Sequence, residues 1–304
     1  MKILLLGKQG QVGWELQRAL APLGELVALG REGQGGLCGD LSDIDGLRAT
    51  IITLQPDVIV NAAAYTAVDR AENETELAYT INSEAPKVLA EAAKASDALL
   101  VHYSTDYVFN GEGDSPWQES DLTAPINHYG ATKLAGERAV QASGCRYLMF
   151  RTSWVYASRG HSFLSTMTKL IQERDALQVV SDQIGAPTSA ELIADVTAQA
   201  VMQTLQDASK AGLYHLVAAG ETSWYRYATF ISETLHTHGV AIKAAAERIA
   251  PVPTTIYPTP AKRPFNSRLD HEKIERVFGL RMPDWQQGVT RALAERTEYQ
   301  IRSK

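Results

Sequence analysis

The sequence predicts an α/β protein, with a Rossmann-like, doubly wound parallel sheet and a smaller lobe towards the C-terminus. Short apolar runs alternate with helix-forming segments through the first 156 residues, the first run ends in a glycine-rich turn, and the alternation changes after residue 156. Strands that alternate with helices along a chain are typical of a parallel sheet with helices on both faces. The alternation therefore predicts the sheet, and the change in rhythm predicts the lobe.

Composition limits the classes of protein to consider. The 304 residues are 45% hydrophobic and 21% charged, as in ordinary folded domains, and the formal net charge is -6. A net negative chain without a long basic run is not expected to bind nucleic acid or an anionic membrane surface. The apolar runs are too short for a signal peptide or a transmembrane helix. Cys38 and Cys145 lack the spacing of a disulfide framework or a zinc site, which fits a cytoplasmic protein.

The first predicted strand leads directly into a glycine-rich turn. Residues 2–6 form a continuous apolar run, Gly7, Gly10 and Gly13 follow, and residues 14–20 have helix-forming composition. Glycines permit a tight turn and close approach of the backbone, while a helix N-terminus favours a pyrophosphate. The turn therefore predicts a dinucleotide site. Its spacing differs from the commonest Gly-x-Gly-x-x-Gly, so a glycine-rich turn without a ligand is the alternative.

The second predicted strand, residues 25–29, indicates which dinucleotide is bound. It ends at Gly30 and Arg31. Sites that prefer NAD usually carry an acidic side chain here for the ribose 2′-hydroxyl, whereas an arginine accommodates the 2′-phosphate of NADP. Arg31 therefore favours NADPH over NADH, and a solvated arginine is the alternative.

Small residues follow the third predicted strand, residues 56–60. The segment Ala62-Ala63-Ala64 comes directly after Asn61. Open α/β sheets bind ligands beyond the carboxyl ends of their strands, so small side chains there leave room for one. The alternative is tight packing.

Helices are predicted before and after this third strand along the chain. One covers residues 42–55, with Ser42 as a plausible N-cap, and a longer helical region lies within residues 67–96. Asn82 falls inside the longer region, where an asparagine side chain is usually solvated. Its function therefore depends on the fold.

A tyrosine and a lysine follow the fourth predicted strand, residues 98–103, which ends at Ser104 and Thr105. Tyr129 and Lys133 are four residues apart in a predicted helix, so both side chains project from the same face. A neighbouring ammonium lowers the pKa of a phenol towards neutral pH, which lets the phenol hand a proton to a carbonyl. The spacing alone also arises by chance. The hydroxyls at the strand end before it complete a candidate proton-donating triad of Thr105, Tyr129 and Lys133.

The second half of the chain contributes to both parts of the fold. Its segments are predicted as a strand at 146–150, a helix at 163–175, a strand at 177–180, a helix at 189–205, a strand at 212–217, a proline-rich loop at 251–264 and a helix from Trp285 to about Tyr299. We expect residues 1–156 and about 189–220 to form an NAD(P)-binding domain. The substrate-binding lobe is expected to comprise residues 157–188 and 221–304.

Several motifs follow one another along the chain. They are Gly7-x-x-Gly10-x-x-Gly13, Asp40-Leu41, Asn61-Ala62-Ala63-Ala64, Ser104-Thr105-Asp106-Tyr107-Val108-Phe109, Tyr129-x-x-x-Lys133, Arg151-Thr152-Ser153-Trp154-Val155-Tyr156, Asp182-Gln183-Ile184-Gly185-Ala186-Pro187-Thr188 and Arg263-Pro264-x-Asn266-Ser267. In this order they resemble the extended short-chain dehydrogenases/reductases and, within them, the dTDP-4-dehydrorhamnose reductase family. The resemblance runs from residue 1 to about 290. It implies NAD(P)H-dependent reduction of the C4 ketone of dTDP-4-dehydro-β-L-rhamnose to dTDP-L-rhamnose, the last step of dTDP-rhamnose biosynthesis for cell-surface polysaccharide such as lipopolysaccharide O-antigen.

The resemblance also implies roles for individual residues. Tyr129 would protonate the C4 oxygen, Lys133 would lower the pKa of Tyr129 and hold the nicotinamide ribose, and Thr105 would bond the carbonyl. Asp106 and Trp154 match positions that contact the sugar. The implied cofactor-binding residues are Gly7, Gly10, Gln11, Val12, Gly13, Arg31, Asp40, Leu41, Ala63, Ala64, Tyr65, Tyr103, Tyr129 and Lys133.

Two further implications concern a proton relay and a metal ion. Asn82 matches an asparagine thought to complete the relay. Glu15, Glu191 and Glu295 match acidic side chains that hold a divalent cation at a homodimer interface, and carboxylate ligands would suit Mg²⁺. The resemblance thus implies a homodimer, and solvated glutamates are the alternative.

Two other functions are compatible with the same scaffold. The first is a nucleotide-sugar 4,6-dehydratase or epimerase, but a dehydratase would need a glutamate where this chain has Tyr107. The second is a non-catalytic regulatory subunit, of the kind that pairs with methionine adenosyltransferase. A tyrosine and a lysine in the right places do not by themselves establish turnover, so this second alternative stays open.

Overall fold

The computed structural model describes residues 1–302, with the side chains of residues 1–296. Within this range the α-helices are α1 (Gln11–Leu20), α2 (Ile44–Leu54), α3 (Val68–Ala71), α4 (Thr75–Tyr79), α5 (Ala85–Ser96), α6 (His128–Ser143), α7 (Phe163–Glu173), α8 (Ala190–Gln206), α9 (Trp224–Thr237), α10 (Glu272–Phe278) and α11 (Trp285–Arg302). A π-helical segment, Thr80–Glu84, joins α4 to α5. In the described residues, no helix has the length and apolar composition that crossing a membrane requires.

In the part of the chain that the structure describes, the strands form one large sheet and three short pairs. They are β1 (Lys2–Leu6), β2 (Glu25–Leu29), β3 (Val58–Asn61), β4 (Leu99–Thr105), β5 (Arg146–Thr152), β6 (Val155–Tyr156), β7 (Leu177–Val180), β8 (Ile184–Gly185), β9 (Thr188–Ser189), β10 (Gly212–His215), β11 (Thr222–Ser223) and β12 (Ile249–Val252). The sheet has the order β2-β1-β3-β4-β5-β10, and all its neighbouring strands are parallel. The predicted α/β, Rossmann-like sheet is therefore confirmed.

Helices cover both faces of this sheet. Leu16 of α1 and Ile193 of α8 pack in one cluster with β1 and β3, whereas Leu47 of α2 and Leu89 of α5 pack in another on the opposite face. The helix that follows β1 therefore lies on one face of the sheet, and the helix that follows β2 lies on the opposite face. This reversal opens a crevice beyond the carboxyl ends of the central strands, which is where open α/β sheets bind ligands.

A third apolar cluster lies outside the sheet and joins α7, α9 and α11. Leu164, Tyr227 and Leu293 are buried in it, one from each helix. α10 falls in the residue range predicted for the lobe, yet its Ile274 and Phe278 pack in a cluster of the sheet. The division into two domains stays a prediction.

Two local predictions differ from the structure. α2 begins at Ile44, and its N-cap is Asp43, which accepts a bond from the Gly46 N–H at 2.9 Å. Ser42 is not the cap, because its hydroxyl donates to Oδ1 of Asp40 at 2.8 Å. The predicted helical region 67–96 is likewise divided, since α3, α4 and the π-helical segment precede α5.

Candidate active site

A cleft of about 630 Å³ opens beyond the carboxyl ends of the central strands. Its lining contains twelve of the predicted site residues: Gly7, Gly10, Gln11, Val12, Arg31, Asp40, Leu41, Ala63, Ala64, Tyr103, Tyr129 and Lys133. Because β2 and β4 lie on opposite sides of β1, Arg31 and Tyr103 lie towards opposite ends of the cleft. The glycine-rich turn and the start of α1 form its middle.

The glycine-rich turn is held close to its neighbours. Gly7 has a φ of 89°, and a Cβ there would lie 2.8 Å from the Ala63 backbone nitrogen. A Cβ on Gly13 would lie 2.0 Å from the Gly7 oxygen, so α1 abuts the turn directly. Gly13 therefore does not line the cleft, and its contact is with the protein backbone. At Gly10 a Cβ would meet nothing closer than 3.4 Å, which leaves that position open towards a ligand.

Four other residues predicted to act in catalysis or to bind cofactor or substrate also lie outside the cleft lining. They are Tyr65, Thr105, Asp106 and Trp154. The phenol of Tyr65 donates to Glu74 at 2.7 Å, and its N–H donates to Asn82 at 2.9 Å. The phenol and the backbone N–H of Tyr65 are thus both bonded within the protein.

Ten lining residues were not among the predicted site residues. They are Gln9, Gly39, Ala62, Thr66, Ile81, Ser104, Thr152, Val155, Gly160 and His161. Most of them adjoin a predicted motif, so the motif neighbourhood could have identified them. Gly160 and His161 come from the loop before α7, where the sequence carries no such signal.

The helix that bears the tyrosine and lysine is fixed at its start and along its length. Asn127 caps α6 by accepting from the Gly130 N–H at 2.8 Å. A Cβ on Gly130 would lie 2.2 Å from the Tyr107 oxygen, and one on Gly136 would lie 2.1 Å from the Asn82 oxygen. α6 therefore packs directly on the turn that follows β4 and on the π-helical segment. This packing sets the positions of the side chains that α6 presents to the cleft.

Tyr129 and Lys133 both line the cleft, as their spacing predicts. Desolvation raises the pKa of the Tyr129 phenol, the negative charge of Asp106 raises it further, and the neighbouring Thr105 hydroxyl partly offsets both effects. Burial lowers the pKa of Lys133 to about 8, although Glu137 opposes this shift. The Lys133 ammonium donates to the Tyr103 carbonyl at 2.6 Å. The predicted lowering of the Tyr129 pKa by Lys133 is therefore wrong for this structure, because burial and the charge of Asp106 raise the pKa and Lys133 is not among the causes of the shift. The phenol is protonated at neutral pH, as a proton donor must be.

Thr105 and Asp106 form a buried polar pair behind Tyr129. The Thr105 hydroxyl donates to Oδ1 of Asp106 at 3.0 Å. Asp106 is 2% exposed, and its Oδ2 has no hydrogen-bond partner among the described residues. Burial raises the pKa of this carboxyl to about 6. The pair thus carries an acceptor without a donor beside the candidate proton donor.

Asn82 is fully buried, contrary to the expectation for a solvated mid-helix asparagine. It lies on the π-helical segment, a type of bulge that occurs frequently at functional sites. Its amide accepts from the Tyr65 N–H and donates to the Tyr65 carbonyl at 3.0 Å and to the Thr132 hydroxyl at 3.1 Å. Thr132 directly precedes Lys133, so Asn82 ties the π-helical segment to α6. The implied proton relay stays a prediction.

Trp154 has an unusual backbone conformation. Its φ of 48° is rare for a residue with a side chain. The indole stacks on Trp224 with ring centroids 3.5 Å apart and an interplanar angle of 13°. A Cβ on Gly185 would lie 2.8 Å from Cε2 of the same indole. Trp154 is therefore held between Trp224 and a glycine.

A second, smaller cavity contains the three glutamates predicted to hold a metal. Glu15, Glu191 and Glu295 all line it, together with Arg18 and Arg291. Arg291 lies 2.7 Å from Glu191 and 3.4 Å from Glu295, and Arg18 lies 3.6 Å from Glu15. Each carboxylate is thus paired with a guanidinium. Within the described part of the chain, no group of three acidic, histidine or cysteine side chains is placed to hold a metal ion.

Known proteins of one kind match this chain over nearly its whole length. Residues 1–298 match the family described as the RmlD substrate binding domain. The dTDP-4-dehydrorhamnose reductase of Escherichia coli (strain K12) is 54% identical over 295 residues, which cover 97% of this chain and 98% of that protein. A protein of the same name from Burkholderia thailandensis is 47% identical and covers 95% of this chain and 97% of its own length.

Solved structures agree with this match. A dTDP-4-dehydrorhamnose reductase from Clostridium acetobutylicum superposes with a TM-score of 0.86 at 34% identity, over 97% of this chain and 99% of that chain. One from Bacillus anthracis, solved in complex with NADP, has a TM-score of 0.84 at 34% identity, with the same coverage of both chains. A UDP-glucose 4-epimerase from Thermus thermophilus is 19% identical with a TM-score of 0.78, which shows a shared fold.

Proposed function

The chain belongs to the RmlD family of dTDP-4-dehydrorhamnose reductases, and on this premise we propose that it reduces the C4 ketone of dTDP-4-dehydro-β-L-rhamnose to dTDP-L-rhamnose. It is an NAD(P)H-dependent oxidoreductase. The observation that carries this function is the joint placement of Tyr129, Lys133 and the glycine-rich turn in one cleft. Relatives at 47–54% identity carry the same name over nearly their whole length.

The cleft fits a dinucleotide. Gly10 leaves its floor free of side chains, and α1 begins at Gln11, so the N–H groups of the first helical turn are available to a diphosphate. Arg31 lies at one end, with 71% of its side chain exposed, and we propose that it binds the 2′-phosphate of NADPH. At the other end, we propose that Lys133 and Tyr129 hold the nicotinamide ribose. The remaining predicted cofactor residues in the cleft lining are proposed as contacts between these two ends.

Reduction of a ketone needs a hydride at carbon and a proton at oxygen. A dinucleotide held by the cleft would supply the hydride for C4. Tyr129 holds the proton on its phenol oxygen and releases it to the C4 oxygen, because its raised pKa keeps it protonated until an oxyanion forms. Lys133 then stabilises the tyrosinate by its positive charge. Thr105 is proposed to bond the C4 oxygen, and Asp106 and Trp154 are proposed to contact the sugar.

The resemblance also implies a homodimer and a magnesium ion. We propose the first and not the second. The homodimer is proposed on resemblance, at the face that carries Glu15, Glu191 and Glu295. The magnesium ion does not fit the residues of one chain, because each of these three carboxylates is already paired with the guanidinium of Arg18 or Arg291. No step of the reaction is therefore routed through a metal.

The cellular setting is also proposed. Two unpaired thiols, Cys38 and Cys145, fit a reducing compartment, and the cytoplasm is the proposed location. The product would serve the synthesis of cell-surface polysaccharide such as O-antigen. The dehydratase alternative is disfavoured because Tyr107 stands where a dehydratase needs a glutamate.

Turnover separates the reductase from a regulatory subunit. The purified chain is mixed with NADPH and enzymatically generated dTDP-4-dehydrorhamnose, and the loss of absorbance of the reduced cofactor is followed. Stoichiometric conversion to dTDP-L-rhamnose is expected. Binding of both ligands without consumption of NADPH would instead identify the non-catalytic alternative.

A further inference from the structure

We propose that the loop of residues 158–161 is a clasp over the diphosphate of the bound dinucleotide, with Gly160 and His161 as contact residues. The loop follows β6 and ends at Ser162, the N-cap of α7. This inference rests on the proposed function, which requires a dinucleotide in the cleft. It adds a wall to the cofactor site that the glycine-rich turn does not provide.

The loop reaches the part of the cleft where a diphosphate would lie. Gly160 and His161 line the cleft together with Gly10 and Gln11. The Gln11 amide nitrogen donates to the His161 carbonyl at 2.9 Å. Gln11 is the first residue of α1, whose N-terminus favours a diphosphate. The loop therefore faces the helix end across the site expected for the two phosphates.

Contacts outside the cleft hold the loop in this place. The guanidinium of Arg159 stacks on the Trp14 ring, with its central carbon 3.8 Å from the ring centroid. The Ser158 carbonyl accepts from Arg296 at 2.5 Å. Trp14 lies on α1 and Arg296 on α11, so the loop is tied to both helices. Gly160 and His161 stay free to face the cleft.

The middle of the cleft also needs groups that can bind the diphosphate. Arg31 and Lys133 are the basic side chains of the lining besides His161, and both are assigned to the ends of the dinucleotide. Oε1 of Gln11 is buried and has no hydrogen-bond partner in the described part of the chain. It is therefore an acceptor that a ribose hydroxyl beside the diphosphate can satisfy. The loop and the start of α1 together supply the groups that the middle of the dinucleotide requires.

Two substitutions remove one of the two contacts that hold the clasp, without changing the residues that face the cleft. Arg159→Ala and Trp14→Ala each remove one side of the stacked pair, and Arg174→Ala is the matched control, because Arg174 lies just beyond α7 and not in the cleft lining. Dissociation constants are measured for NADPH, for adenosine 5′-diphosphoribose and for adenosine 2′-monophosphate. The last probe lacks the diphosphate. KM for NADPH and for the sugar nucleotide is measured alongside.

The expected result is selective for the diphosphate. Arg159→Ala and Trp14→Ala should each weaken NADPH and adenosine 5′-diphosphoribose about fivefold, the factor expected for losing one cation–π contact of ordinary strength. The double variant should be no weaker than either single one, because both remove the same contact. Adenosine 2′-monophosphate should bind as before, and KM for the sugar nucleotide should not rise.

Other results would overturn the clasp. An unchanged affinity for NADPH in Arg159→Ala would do so, as would an equal loss for adenosine 2′-monophosphate or for Arg174→Ala. The wild-type chain separates this failure from that of the proposed function. If wild type turns over the ketone while the variants bind NADPH normally, the clasp alone is wrong; if wild type binds no NADPH, both proposals are wrong.

Discussion

Thr105 donates its hydroxyl proton to Oδ1 of Asp106 at 3.0 Å, although the same hydroxyl is the group proposed to bond the substrate ketone. A hydroxyl has one proton, so Thr105 must turn away from Asp106 before it can donate to the C4 oxygen. Asp106 would then lose one of the donors that favour its ionised form, the others being the Ser267 hydroxyl and the N–H groups of Asp106 and Tyr107. Its Oδ2 already lacks a hydrogen-bond partner among the described residues. A sugar hydroxyl can satisfy this carboxylate when the substrate binds. The buried carboxylate of Asp106 therefore destabilises the free protein, and substrate binding relieves this destabilisation.

The first prediction follows from this destabilisation. Asp106→Asn should stabilise the free protein at pH 8 and lower kcat/KM by about 10- to 100-fold, the range for losing a hydrogen bond to a charged group. Burial raises the pKa of Asp106 to about 6, above the unfolded value of about 3.9. The ionised carboxyl therefore destabilises the fold above pH 6, by up to about 3 kcal/mol, and this penalty disappears as the pH falls from about 6 to about 4.

Thermal unfolding measured at several pH values tests the direction of this pH dependence. The gain in Tm of Asp106→Asn should be largest at pH 8 and should shrink below pH 6. Asp114→Asn is the matched control, because Asp114 is exposed. A gain that does not change between pH 8 and pH 4.5 would show that the buried charge is not its origin.

The sequence predicted those parts of the site that depend on local spacing. The glycine-rich turn follows β1, and Tyr129 and Lys133 lie four residues apart on α6, so strand and helix periodicity suffices to place them at the carboxyl edge of the sheet. Arg31 follows for the same reason, since it comes directly after β2. These positions need no knowledge of the contacts between distant segments.

Other parts depend on such contacts and could not be predicted. Asn82 is buried because the chain forms a π-helical segment against α6, and a helical pattern in sequence does not show the extra residue in a turn. The three glutamates were expected to share a site, but the sequence did not show that Arg291 lies between Glu191 and Glu295. Gly160 and His161 enter the cleft from a loop far along the chain.

The second prediction concerns the proton donor. Tyr129→Phe should reduce kcat by about 10²- to 10⁴-fold, the usual contribution of a general acid, while the Kd for NADPH changes little. Tyr107→Phe is the matched control, because the two rings contact each other edge to face with centroids 5.6 Å apart. By the proposed mechanism, Tyr107→Phe should reduce kcat by less than tenfold. Single-turnover rates at saturating NADPH measure both, and a near-wild-type rate for Tyr129→Phe would refute the assignment.

The third prediction separates two glycines of the turn. A Cβ on Gly10 would meet the protein no closer than 3.4 Å, so Gly10→Ala should unfold at nearly the wild-type temperature but bind NADPH at least tenfold more weakly, because the methyl group points into the dinucleotide site. A Cβ on Gly13 would overlap the Gly7 oxygen at 2.0 Å, so Gly13→Ala should lose both stability and affinity. Thermal unfolding and NADPH titration of both variants provide the comparison. Equal stability losses would contradict it.

The fourth prediction concerns cofactor choice. Arg31→Ala should weaken NADPH about tenfold and NADH by less than twofold, since a guanidinium that binds the 2′-phosphate is idle towards a 2′-hydroxyl. The expected loss is modest because the Arg31 side chain is 71% exposed and lies 3.9 Å from Asp40. Arg48→Ala, on the exposed surface of α2, is the control for a general change of charge. Equal losses for NADPH and NADH would exclude the 2′-phosphate role.

The fifth prediction starts from the strained backbone of Trp154. A φ of 48° costs free energy in a residue with a Cβ, so it persists because the surroundings fix it. Trp224 stacks on the Trp154 indole, and its Nε1 donates to Gln183 at 3.0 Å, which fixes the orientation of the supporting ring. Trp224 is thus a positioning residue for a side chain proposed to contact the sugar.

Trp224→Ala should therefore raise KM for the sugar nucleotide about tenfold, because both the stacking and the support of the strained conformation are lost. NADPH affinity should stay within twofold, since neither ring lines the dinucleotide cleft. Trp224→Phe should recover part of the loss by restoring a stacked ring. Phe163→Leu is the matched control, because Phe163 also packs on Trp224, with ring centroids 4.6 Å apart. If Phe163→Leu raised KM as much as Trp224→Ala, general loosening of this cluster would account for the effect and the stacking on Trp154 would not.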